Sequence, residues 1–156
     1  MYKRTLVPLD GSPVAETIIP FIIGIAGPLD MDVILLRVVE PISPPVLEGY
    51  VEAETAPLRT TDAQEYLAPI AVELRNKGVR VESRVRWGHP ADQIVDAARE
   101  LGADLIAMST HGRGGLGQLV FGSVAQAVLR KAQMPVFLMR ATESQVAKRA
   151  TRAAAT

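Results

Sequence analysis

Five short runs of apolar, mostly β-branched residues recur along the chain, at Arg4 to Leu9, Val33 to Val39, Val79 to Trp87, Asp104 to Met108 and Val136 to Met139. Each has the length of a strand and the composition of one. Between them the apolar positions fall at helical spacing instead, as in Leu67, Ile70, Ala71 and Leu74, then Ile94, Val95, Ala98 and Leu101. Gly78 and Gly102 stop these two segments. Strands alternating with helices predict right-handed crossovers and a doubly wound α/β fold, a single open parallel five-stranded sheet with helices on both faces. The third run alternates (Val79, Val81 and Val85 against Arg80, Glu82 and Arg84), whereas the others are nearly continuous. Strand three is therefore an edge.

Pro20 and Pro69 fall where the helical pattern continues, and each removes a backbone hydrogen bond, so kinks are expected there. The connection from Pro41 to Pro57 is longer than an ordinary loop and reads as a lid or an unstructured segment. Residues 1–142 form one domain on this reading, and 143–156, polar, alanine-rich and basic, form a flexible C-terminal tail. The most apolar stretch, Ile18 to Leu29, is broken by Pro20, Gly24, Gly27 and Pro28 and is shorter than the ~20 residues of a membrane span. It reads as a buried helix.

Lysine plus arginine equals aspartate plus glutamate at 17 each in 156 residues, so no overall field draws the chain to nucleic acid or to an anionic membrane. Neither is expected as a partner. The absence of cysteine excludes disulfides, thiolate zinc sites, iron–sulfur clusters and thiol catalysis. Met1 to Arg4 does not open a secretory signal, and a cytoplasmic location is expected.

The stretch Met108 to Ser123 carries the candidate chemistry. Gly112, Gly114 and Gly117 spell a dinucleotide fingerprint, but they follow the fourth strand rather than the first, and no acid stands between Gln118 and Thr142 to hold a ribose. A P-loop fails as well, because Gly122 is followed directly by Ser123 with no lysine. A third spacing, Gly112 to Gly122-Ser123, asks for backbone instead. Gly112 admits close approach of main chain, and Gly122-Ser123 opens a helix from Val124 to Ala132 whose free amides suit a phosphate. In open parallel sheets ligands bind beyond the carboxyl ends of the strands where strand order reverses, and strands one and four are the natural neighbours there. Strand one ends in Pro8-Leu9-Asp10, which sets the Asp10 carboxylate opposite the glycine loop, able to accept from ribose hydroxyls or help hold a metal ion.

At Leu6 to Ser12, Val33 to Glu40, Gly88 to Ala98, Met108 to Arg130 and Met134 to Met139 the sequence resembles the universal stress protein family, in its nucleotide-binding branch with the pattern G-x2-G-x9-G-[ST]. The resemblance spans nearly the whole chain. It implies a sheet ordered 3-2-1-4-5 and a site for ATP or AMP with magnesium or manganese. It places Pro8, Asp10, Val38 and Met108 around adenine and ribose, and Gly112, Gly122, Ser123 and Val124 at the phosphates. The first glycine of the pattern is Ser109 here. It also implies a homodimer through the last strand, Val136, Phe137, Leu138 and Met139, whose uncovered edge a second copy can pair with.

Plainer readings stand beside these. Asp10 can serve turn chemistry alone, with Ser12 as N-cap and Pro13 at the first helical position. Arg113 can pair with phosphate or remain solvated, His111 reads as pocket rim, and His89 simply leads into its helix. Ser109 lacks the flanking glycines of a nucleophile elbow, and no residue is suited to be a general base. The expected function is adenine-nucleotide binding as a stress-response signalling module, with at most weak ATP hydrolysis. The alternative is a nucleotide-free dimeric interaction protein of the same fold.

Overall fold

The five apolar runs become β1 (Arg4–Pro8), β2 (Asp32–Val39), β3 (Arg80–Trp87), β4 (Leu105–His111) and β5 (Val136–Ala141). The computed structural model describes residues 1–41, 48–111 and 122–155, with backbone alone for 48–55. The strands form one parallel sheet in the order β3-β2-β1-β4-β5, so β3 is the edge that its alternation announces. β4 runs beyond the apolar run because Thr110 and His111 pair with Arg140 and Ala141 of β5.

Side chains alternate across the sheet, which splits the core in two. Val7, Leu9, Val33, Leu35 and Ala107 face α2 (Ile18–Ala26) and α3 (Glu48–Arg75), packing on Ile18, Ile22, Leu67, Ile70 and Leu74. Leu6, Ile34, Leu36, Ile106 and Met108 face α4 (Pro90–Glu100) and α5 (Ser123–Lys131), packing on Ile94, Ala97, Ala98, Ala125 and Val128. Burying each such leucine or isoleucine contributes about 1.5–3 kcal/mol, which anchors the strand ends that carry the site. At the β5 edge the Phe137 ring stacks on Phe21 with centroids 4.4 Å apart.

The expected break at Pro20 occurs one turn earlier. α1 (Pro13–Glu16) ends at Thr17 and α2 begins at Ile18, because a proline ring clashes with the carbonyl four residues before it, here that of Glu16. α3 continues through Pro57 and Pro69. The connection expected to be a lid or unstructured is helix from Glu48 onward; residues 42–47 lie outside the described part.

The segment from Glu143, expected to be a solvated tail, is helix α6 (Glu143–Ala154). Thr142 and Gln145 form a capping box at its start. Its anchor is Arg149, only 7% exposed, whose Nε donates to Glu16 Oε2 at 2.7 Å while its two terminal nitrogens donate to Glu73 Oε1 and Oε2 at 3.1 and 2.8 Å. An arginine in a polar run reads as solvated; its two acid partners lie 133 and 76 residues away in the chain, beyond the reach of any local pattern. Among the described residues no helix is long and apolar enough to cross a membrane.

Candidate functional site

At the carboxyl ends of the strands, where the chain leaves β1 toward one face of the sheet and β4 toward the other, lies a cavity of about 300 Å³. This is the switch point at which open α/β sheets bind ligands. Pro8, Leu9 and Asp10 close it from β1, Val38 from β2, Met108, Ser109 and His111 from β4, and Gly122, Ser123 and Val124 from the start of α5. Ten of the residues singled out from the sequence thus line one cavity. The other two, Gly112 and Arg113, lie outside the described residues, as do Gly114, Gly115 and Gly117.

The β1–α1 turn is fixed by its own hydrogen bonds. Leu9 N donates to Leu36 O at 2.8 Å, Asp10 Oδ1 accepts from Ser12 N at 2.8 Å, and Ser12 Oγ accepts from Ala15 N at 3.1 Å. Ser12 is the N-cap and Pro13 the first helical residue, so the turn chemistry read from the sequence is present. It engages one carboxylate oxygen only. Asp10 Oδ2 has no hydrogen-bond partner among the described residues, and the side chain is exposed at the cavity mouth.

Opposite stands the N-terminus of α5. Gly122 is its N-cap, with φ −60° and ψ 155° and no side-chain cap. The first intrahelical donor is Gln126 N, bonded to Gly122 O at 3.0 Å. The amides of Ser123, Val124 and Ala125 therefore have no acceptor within the helix, and no acid in the first turn satisfies them. Among the described residues these three amides have no hydrogen-bond acceptor, and they stand at the positive end of a nine-residue helix, where negative charge is favoured. Between Asp10 and these amides the wall is apolar, from Val38, Met108, Ile94 and Val124.

Ser109 sits at the base of the β4 loop with its side chain committed elsewhere. Its hydroxyl and that of Thr17 hydrogen-bond at 2.9 Å, and Thr17 Oγ1 also donates to Val14 O at 2.7 Å. The serine thereby ties β4 to the end of α1.

Several lining residues were not singled out from the sequence. Thr110, buried near the end of β4, accepts from Gly122 N through Oγ1 at 3.4 Å and so joins the end of β4 to the start of α5. Its signal was period-two alternation with Met108. Ile94 belongs to the apolar stripe of α4 and reaches the cavity at that helix's first turns, where His89 is the N-cap and Pro90 the first helical residue. Arg37 and Glu40 also line it, and nothing local in β2 distinguishes them from solvent-facing charges. Among the described residues no group of three or more His, Asp or Glu side chains is placed to hold a metal ion.

Comparisons with known proteins bear on the fold that carries this cavity. The chain is 34% identical over 143 residues to universal stress protein MJ0531 of Methanocaldococcus jannaschii, covering 90% of this chain and 83% of that one. Its fold superposes on the structure of hypothetical protein MJ0577, named a universal stress protein of the same organism, with a TM-score of 0.77 at 29% identity, over 92% of this chain and 99% of the other. The structure of a universal stress protein from Archaeoglobus fulgidus in complex with dAMP superposes with a TM-score of 0.64 at 25% identity, over 88% and 97% of the two chains. Residues 1–140 match the sequence model of the universal stress protein family, and the chain belongs to that family.

Proposed function

We propose that the cavity between β1, β4 and α5 binds an adenine nucleotide, and that the protein acts as a stress-response signalling module inside the cell through that binding rather than through turnover. The observation that carries the reading is the pairing of three amides at the start of α5, without an acceptor among the described residues, with the half-engaged Asp10 carboxylate across an apolar cavity. A nucleotide has this polarity, with phosphate oxygens for the amides, hydroxyls for Asp10 Oδ2 and a flat apolar base for the Val38 and Met108 wall. The related Archaeoglobus protein was solved with dAMP. Magnesium or manganese fits as a companion of the phosphates: such an ion needs only one or two carboxylates when phosphate oxygens supply the rest, and Asp10 offers one. Gly112 and Arg113 complete the phosphate side in this reading.

Two copies are proposed to pair along the outer edge of β5, which no strand among the described residues covers. Calorimetric titration with magnesium ATP and with AMP, together with mass spectrometry of an acid extract of the purified protein, tests the ligand. Saturable heat and a copurifying adenine nucleotide are expected. Neither heat nor nucleotide leaves the alternative, an interaction protein that keeps the fold and has no ligand.

A further inference from the structure

We propose that Arg37, Tyr66 and Glu16 are positioning residues for the Asp10 turn and that α6 anchors them through Arg149, so that docking of α6 and affinity of the cavity for its ligand are coupled. The ligand's identity rests on the reading above; the coupling does not.

The connection can be followed atom by atom from the cavity outward. Gly11, between Asp10 and Ser12, has φ +89°, and a Cβ placed on it would lie 3.5 Å from Arg37 Nη2, so the guanidinium packs directly over the turn. Alternation on β2 puts Arg37 on the same face as Val33 and Leu35, toward α3. There its guanidinium carbon lies 5.7 Å from the centroid of the Tyr66 ring, within range of a cation–π interaction. The Tyr66 hydroxyl donates to Glu16 Oε1 at 2.9 Å, and the other oxygen of Glu16 accepts from Arg149 at 2.7 Å. Burial first, and then the neighbouring Glu16 charge, push the Tyr66 phenol well above its ordinary range, which keeps it a donor.

Two features make this chain of contacts adjustable. α1 has only four residues, too few to hold itself, so beside the burial of Val14 and Ala15 and the Thr17–Ser109 hydrogen bond its place depends on its two ends. One end is the Asp10–Ser12 turn at the cavity and the other is Glu16 under α6. α6 in turn buries Arg149 alone among its residues and half-buries Val146, so ion pairs rather than an apolar face decide whether it is docked: the buried pairs of Arg149 with Glu16 and Glu73, and an exposed Arg152 paired with Glu73 at 2.8 Å. It also lies beyond residues 1–140, the part that matches the family. With Arg149 gone, the Glu16 carboxylate keeps, among the described residues, the Tyr66 hydroxyl alone and must reach for solvent, taking with it the ring that supports Arg37.

The test uses the full chain without ligand and reads amide exchange by nuclear magnetic resonance at Ser12, whose amide is held by Asp10, and at Ala15, held by Ser12. Arg149→Met is expected to speed both by about tenfold while amides of β1 and β2 are unchanged. Tyr66→Phe, which keeps the ring and the ion pair and removes one hydrogen bond, is expected to act in the same direction by less. Arg37→Lys is expected to restore most of what Arg37→Met loses. Acceleration confined to 142–154, or spread evenly over the sheet, overturns the proposal. With magnesium ATP as the probe, Arg149→Met is expected to weaken binding by about five- to tenfold, and ATP to slow exchange in α6 by the same factor, since coupling is reciprocal. A parent protein that binds no ATP refutes the nucleotide reading, while Ser12 and Ala15 still decide the coupling.

Discussion

Replacing Gly122 by leucine separates a ligand role for the start of α5 from a structural one. The backbone at Gly122, φ −60° and ψ 155°, is open to any residue. A Cβ there meets no described atom within 4 Å, and Gly122 lines the cavity beside the amides. The fold should tolerate it. Leucine is a poorer N-cap than glycine, costing about 1 kcal/mol, and it offsets about 0.4–1 kcal/mol of that by restricting the unfolded chain. Binding should not survive. A hydrogen bond from a backbone amide to a charged phosphate contributes about 1.5–3 kcal/mol, so blocking two of the three amides removes about 3–6 kcal/mol. That corresponds to roughly a hundredfold to ten-thousandfold in Kd. Calorimetric titration with magnesium ATP, beside a thermal melt, reads both quantities. A variant that melts like the parent and binds ATP within about threefold of it, less than 1 kcal/mol, refutes the assignment of phosphate to these amides.

Asp10→Asn keeps the acceptor for Ser12 N and removes the charge, so it should weaken magnesium ATP by about tenfold with the melting temperature nearly unchanged; a large loss of stability would show that the carboxylate serves only the turn. Tyr66 should fail to ionise in an ultraviolet titration at the pH where a free phenol does. Because its folded phenol titrates above the unfolded value, its contribution to stability is fully present below about pH 10 and lost as pH rises further, and Tyr66→Phe should flatten that alkaline limb. Arg80 hydrogen-bonds Asp30 and Asp32 and holds both carboxyls below the ordinary range. Their contribution is therefore present above about pH 4 and lost as pH falls through the lowered values, and Arg80→Met should shrink the acid dependence of unfolding, with a small loss of stability at neutral pH that vanishes in acid. Light scattering should give the mass of two chains if copies pair along β5; a single-chain mass across the accessible concentration range would contradict the pairing.

The parts of the fold legible in the sequence are those set by local pattern. Strands flanked by helices on both sides announced themselves as unbroken apolar runs, β3 as an edge by its alternation, and the interruption between α1 and α2 by Pro20. Half of the site was legible for the same reason: Asp10 ends a strand and Gly122-Ser123 opens a helix, and both positions follow from order along the chain. The rest depends on pairs distant in sequence. Arg149 is indistinguishable from a surface arginine until the fold brings Glu16 and Glu73 to it. Arg37 reads as a charge on a strand end until the Tyr66 ring of α3 lies under it. Thr110 reads as loop until β5 pairs with it and Gly122 N turns toward it. The conspicuous glycines from Gly112 to Gly117 lie outside the described residues, and the geometry of the site is carried by the quieter ends of that spacing, Ser109 and Gly122-Ser123.

The central claim is tested most directly by titrating the purified, nucleotide-stripped protein with magnesium ATP while following the amide signals of Ser123, Val124 and Ala125. The account predicts saturable shifts at these three and at Asp10, with one binding curve shared by all. Saturation without any change at Ser123, Val124 and Ala125, or no saturation at all, would contradict it.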